Sequence, residues 1–146
     1  METQSIEDNI NNAESKVSPL GGDLEGAVVA IVGVGLIGGS MALALKEKGI
    51  AKKIIGVGRS AASIAKAIEL GIIDEALPLE EAVKQADFIY VSIPVDATIP
   101  VMQQIMDMIT DKQVVVDAGS TKAALCKALS GHPMRKQFVA THPMWG

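Results

Sequence analysis

Val28-Val29-Ala30-Ile31-Val32 runs without a break into Gly33-Val34-Gly35-Leu36-Ile37-Gly38, and a helical pattern follows at once. A buried strand that meets Gly-x-Gly-x-x-Gly and then a helix leaves few folds open, because this arrangement binds a dinucleotide. Each glycine has its own task. Gly33 makes the tight turn off the strand, Gly35 lets backbone approach a pyrophosphate, and Gly38 lets the helix pack closely on the strand. The free N–H groups where the helix starts, at Leu36 and Ile37, together with the helix dipole, would hold the phosphates. The competing reading is that the glycines serve only a tight strand–helix turn.

The chain has 146 residues, enough for one domain with a real core. Apolar residues make up 49% but aromatic ones only 3%, so the core is expected to be aliphatic. Short continuous runs of Val, Ile, Leu and Ala suit parallel strands buried on both faces. The net charge of −4 is uneven: residues 1–27 hold six acids against Lys16, and the remainder carries 12 basic and 11 acidic groups. Neither part offers a basic face for nucleic acid. No apolar run reaches the ~18 residues of a membrane span. The N-terminus lacks the basic-then-apolar order of a secretory signal. Cys126 is the single cysteine and fits a reducing compartment, so a cytoplasmic protein is expected.

Residues 1–27 read as a polar, flexible leader with room for a short helix around 5–15, and residues 28–146 as the folded domain. Past the first helix, closed by Gly49, the pattern predicts strands at 53–58, 72–77, 87–93, 114–117 and 137–141. Helices are predicted from the Ser60 cap to about Leu70, at 78–83, at 97–109 and at 120–129. The methionines at 102 and 106 read as core filler. Strands alternating with helices every ~25 residues mean βαβ units and an α/β, doubly wound parallel sheet. Right-handed crossovers and the glycine fingerprint favour the Rossmann-type order 3-2-1-4-5-6, with a ligand across the C-terminal strand ends.

An acid at the end of the second strand would bond a ribose 2′-hydroxyl and repel a 2′-phosphate. That position is Gly58 here, with Arg59 and Ser60 next. A guanidinium and a hydroxyl can bind a 2′-phosphate, which favours NADP over NAD, with NAD and dual use left open. Arg59 as an ordinary solvated charge is the alternative. Ser92-Ile93-Pro94 lies at the C-terminal end of the fourth strand and is expected on the cofactor. His142 follows the sixth strand; an imidazole there can take a proton from an alcohol while the cofactor takes hydride. Ser120, after the fifth strand, would hydrogen-bond that imidazole, cap the next helix, or both. Asp117 reads as closing its strand by bonding nearby N–H groups. Lys122 reads as a solvated charge in a helix first turn, with an anion partner as the other reading. His132 reads as part of a turn, and His132, Cys126 and His142 make no metal spacing.

Ile31 through Ser40, Ser92 through Thr98, Asp117 through Lys122, and His142-Pro143-Met144-Trp145-Gly146 occur in that order. Together, over about residues 28–146, they resemble the N-terminal domain of the prephenate/arogenate dehydrogenase family of tyrosine biosynthesis. The Gly-Leu-Ile-Gly-Gly-Ser turn and the closing His-Pro-Met-x-Gly are the most specific pieces. The resemblance implies oxidative decarboxylation of a cyclohexadienyl substrate, prephenate or arogenate, with hydride passing to NAD(P). It implies that His142 polarises or deprotonates the 4-hydroxyl and that Ser120 orients the histidine or the substrate. The family's strand-two acid is missing at Gly58, which fits its NADP-using branch. In that family a helical C-terminal domain follows the closing motif, supplies dimerisation and adds basic groups for the substrate carboxylates. This chain stops at Gly146, so the resemblance implies a fragment that binds cofactor with little or no turnover alone. A non-catalytic nicotinamide-nucleotide-binding regulatory module and a β-hydroxyacid dehydrogenase domain remain as alternatives.

Overall fold

The computed structural model describes residues 26–120 and 122–142. Residues 1–25 of the expected leader, with its expected short helix, and Pro143 to Gly146 of the closing motif lie outside the described residues, whereas Ala27, expected in the leader, opens the first strand. Six strands form one sheet: β1 (Ala27–Val32), β2 (Ala51–Val57), β3 (Glu75–Ala76), β4 (Phe88–Val91), β5 (Val114–Asp117) and β6 (Phe138–Ala140). Five helices join them: α1 (Leu36–Glu47), α2 (Ala61–Glu69), α3 (Leu79–Gln85), α4 (Val95–Met108) and α5 (Ala123–Leu129), and a 3-10 turn at Arg135–Gln137 precedes β6. The order is β3-β2-β1-β4-β5-β6, the 3-2-1-4-5-6 arrangement expected, and every pair is parallel.

The unbroken apolar run of β1 is explained by burial on both sides. Ala30 and Val32 face Ala82 and Val83 of α3, Met102, Ile105 and Met106 of α4, and Leu125 and Leu129 of α5. Val29 and Ile31 face the other way, toward Ala42 of α1 and Ala67 of α2. Each fully buried Ile, Val or Met contributes about 1.5–3 kcal/mol of transfer free energy. Met102 and Met106 are fully buried, as core filler should be. No helix among the described residues is long and apolar enough to cross a membrane.

The predicted third strand, 72–77, is reduced to two residues, because its first half closes α2 instead. Gly71 adopts a φ of +70°, and the N–H groups of Ile72 and Ile73 turn back to the Ala67 carbonyl. That is the left-handed glycine closure of a helix, and it takes Ile72 and Ile73 out of the ladder. The fourth strand is shorter than 87–93 at both ends. Asp87 Oδ2 accepts the Val28 N–H at 2.9 Å. After Val91 the chain lifts across the glycine turn instead of continuing the sheet. The last predicted strand, 137–141, keeps only Phe138–Ala140, since the 3-10 turn occupies Gln137. α4 starts two residues earlier than predicted, at Val95.

Asp74 replaces the missing strand pairing. Its Oδ2 accepts the Ile54 N–H at 2.7 Å and its Oδ1 pairs with Lys46 Nζ at 2.9 Å. Burial opposes its charge, but the Ile54 N–H, Lys46 and Lys53 outweigh that and hold the carboxyl below its ordinary 3.8. A depressed folded-state pKa adds stability above the unfolded value, and that stability is lost as pH falls through the folded one. Thermal melts followed by circular dichroism should therefore show Asp74→Asn less stable than the parent at neutral pH. Below about pH 4 the two should converge. A difference that stays constant from pH 7 to acid would contradict this account.

Candidate functional site

β1 lies between β2 and β4, so the strand order reverses there, and ligands bind such a sheet in the crevice outside the strand ends at that point. A cavity of about 440 Å³ lies there. Gly33 and Gly35 line it from the turn after β1, Gly58, Arg59 and Ser60 from the end of β2, and Ser92, Ile93 and Pro94 from the end of β4. Ser63 and Ile64 of α2, Leu79 of α3, and Ala97 and Val101 of α4 also line it. Sequence reading missed these five. For Ser63 and Ile64 a signal was present, since they stand three and four residues beyond Ser60 and share its helix face. For the others only the packing of α3 and α4 reveals the placement.

The glycines of the turn divide into two kinds. A Cβ on Gly33, whose φ is +96°, would sit 2.0 Å from the Ser92 carbonyl oxygen. On Gly38 it would sit 2.1 Å from the Gly33 oxygen. Both are therefore demanded by the packing of the chain on itself. Around Gly35 nothing lies within 4 Å, and its backbone is extended at φ −100°. The fold has no need of a glycine there; the space it leaves opens on the cavity.

α1 begins at that point. Gly35 supplies no side-chain cap, the first turn holds no acid, and the first hydrogen-bonded amide is that of Gly39, to the Gly35 oxygen at 2.8 Å. The N–H groups of Leu36, Ile37 and Gly38 have no acceptor among the described residues, so they form a ready anion cradle. The side chains of Leu36 and Ile37, 88% and 48% exposed, do not line the cavity. Gly38 is not among the lining residues either, so of the expected cofactor-binding residues these three stand beside the cavity at the start of α1, with only their amides to offer. Arg59 is the one charged residue of the lining, and it makes no ion pair among the described residues.

Ser120 and His142 leave the ends of β5 and β6, which are neighbours, with Asp117 opposite Ala140. Both are exposed, neither lines the cavity, and no hydrogen bond joins them. Ser120 is not the cap of α5 either: it lies in a bend, and the capping position is Lys122. The reason is electrostatic. Asp117 is 1% exposed, and its Oδ2 takes the Lys122 ammonium and the Gly119 N–H at 3.1 Å. That pairing draws Lys122 down to the strand end and delays the helix, so Lys122 is not a solvated charge: of its two readings the anion partner holds, and the anion is the Asp117 carboxylate of the same chain. Thr141 Oγ1 donates to the Asp117 carbonyl. The other histidine, His132, accepts the Met134 N–H on Nδ1 at 3.0 Å, so its proton is on Nε2, which donates to Asp107 at 2.7 Å. This pins the turn after α5 to α4. Tyr90, buried in β4, has no partner for its hydroxyl among the described residues; burial first, and then the Asp117 charge, push that hydroxyl above its ordinary 10.0. Among the described residues no three His, Cys, Asp or Glu side chains cluster as metal ligands would.

A parallel sheet in this order, with a glycine turn under an open anion cradle at its switch point, defines a Rossmann-type dinucleotide-binding domain. The family model described as "Prephenate dehydrogenase, nucleotide-binding domain" matches residues 41–146, a span that begins after the glycine turn. The chain belongs to that family. Prephenate dehydrogenase of Bacillus subtilis is 36% identical over 121 residues, 81% of this chain and 33% of that protein. The crystal structure of prephenate dehydrogenase from A. aeolicus in complex with hydroxyphenyl propionate and NAD+ superposes with a TM-score of 0.74. Its identity is 35%, covering 81% of this chain and 42% of that one. Synechocystis arogenate dehydrogenase gives a TM-score of 0.71 at 29% identity, over 82% of this chain and 41% of that one. The chain spans 33% to 41% of the length of the curated relatives it matches.

The two kinds of glycine should separate in denaturant melts. Gly33→Ala and Gly38→Ala, which force a methyl onto backbone, should each cost about 3 kcal/mol or more. Gly35→Ala should change stability by less than about 1 kcal/mol. Equal losses at all three positions would show that Gly35 too is held by packing.

Proposed function

We propose that residues 28–146, behind a polar leader, are the nicotinamide-nucleotide domain of a cytoplasmic dehydrogenase that oxidises prephenate or arogenate with NADP in preference to NAD. The observation that carries the cofactor half is the open space at Gly35, on the wall of a cavity with no acidic lining residue, next to three α1 amides that have no acceptor among the described residues. Those amides would take the pyrophosphate. Arg59 and Ser60, with Ser63 beside them, face the ribose that follows, where a 2′-phosphate meets a guanidinium and no repelling carboxylate. Ser92, Ile93 and Pro94 border the opposite end of the cavity, toward β4 and β5.

Family membership carries the reaction. A bound oxidised nicotinamide supplies the two-electron acceptor. His142 takes the proton of the substrate 4-hydroxyl as its carbon is oxidised, and Ser120 orients that hydroxyl or the imidazole. The ring carboxylate then leaves as carbon dioxide, its bonding pair completing an aromatic ring. Substrate carboxylates and dimerisation are assigned to a C-terminal domain of the kind the longer relatives have room for.

Fluorescence titration of this chain should give tighter binding of NADPH than of NADH. Arg59→Ala should remove about 1.5–3 kcal/mol from NADPH alone, roughly 10- to 150-fold in Kd. Gly35→Ala should weaken both cofactors. Equal affinities in the parent would end the NADP assignment. Turnover of prephenate and arogenate should be slight for residues 1–146 and appear when a C-terminal domain is supplied, and His142→Asn should then abolish it with cofactor affinity unchanged. Turnover that survives His142→Asn would remove the histidine from the reaction.

A further inference from the structure

Asp117 is one of the few polar side chains buried in this domain, and the cofactor reading gives it no task. Its neighbours along β5, Val115 and Val116, are core residues. A carboxylate at the end of such a strand gains little stability over a well-packed apolar residue, even with its charge paired. Its contacts say what it does instead. Oδ2 holds Gly119 and Lys122, one residue before and two residues after Ser120. Its main-chain carbonyl accepts the hydroxyl of Thr141, the residue before His142. Asp117 is also the register partner of Ala140 in β6 and of Val91 in β4. One residue thus fastens the loop of Ser120 on both sides and the approach to His142. Its Oδ1, also buried, has no partner among the described residues.

We propose that Asp117 is the positioning residue of the site, setting Ser120 and His142 relative to each other through Lys122, Gly119 and Thr141. This rests on the reading of Ser120 and His142 as the reacting pair, but its geometry can be tested without turnover. The chain holds two histidines, so their imidazole signals in nuclear magnetic resonance spectra of residues 1–146 are assigned with His132→Asn and His142→Asn. In Asp117→Asn, which loses the charge but keeps the shape, the His142 imidazole and Ser120 amide signals should both shift or broaden. His132, tied to Asp107 and Met134, should stay where it is. Thr141→Val, which removes only the bond to the Asp117 carbonyl, should move His142 and leave Lys122 in place. If Asp117→Asn does not fold, Thr141→Val decides alone. His142 and Ser120 signals that superpose on the parent's would overturn the proposal, as would His132 moving as far as His142, the mark of general loosening. Loss of turnover in His142→Asn reads the underlying assignment separately, so either can fail without the other.

Discussion

A strand buried on both faces has to leave its sheet through a bend with no room for side chains. β1 does so between two neighbours. The backbone of the β4–α4 connection crosses directly over Gly33, and α1 presses its Gly38 against the Gly33 carbonyl. Three backbones meet where ordinary residues would hold them apart by a methyl group each. This stack sets the distance of α1 from the sheet, brings the ends of β2 and β4 to the same edge, and creates the cavity between them. Close packing tolerates little extra volume, so these backbone contacts, two of whose residues, Gly33 and Ser92, line the cavity, constrain its shape.

The polar groups of the domain follow the same economy. Charges within the fold are paired where they replace missing backbone contacts. Asp74 stands in for a strand acceptor under Ile54, and Asp117 gathers an ammonium, an amide and a hydroxyl around the end of β5. The cavity, by contrast, is nearly free of charge, with Arg59 alone at its β2 end. A largely apolar wall with a single cation, next to amides that have no acceptor among the described residues, has the character of a site for a ligand with both anionic groups and rings.

Much of this is legible along the chain. The Val28–Val32 run, the glycine spacing, the Ser60 cap and the alternation of short apolar runs with helical patterns require a parallel, doubly wound sheet, and that sheet is present in the expected order. Gly33, Gly35, Gly58, Arg59, Ser60, Ser92, Ile93 and Pro94, named from motif and strand-end position, all border one cavity. Less legible are the element ends. Ile72 and Ile73 look like strand residues by composition, yet the left-handed closure at Gly71 spends their amides on α2.

Local sequence determined what depends on neighbours a few residues apart: the helix and strand periods, the glycines that a strand–helix turn needs, and the absence of an acid after β2. Tertiary structure decided what depends on atoms far apart in sequence. It separated Gly33 and Gly38, which backbone from elsewhere excludes from bearing a side chain, from Gly35, which nothing crowds. It drew Lys122 from a helix first turn to a buried carboxylate and placed Ala97 and Val101 of α4 on the cavity wall. Periodicity is written into a chain by bond geometry, but which surfaces meet is settled only when the core closes, since that choice is made by packing across the whole sheet.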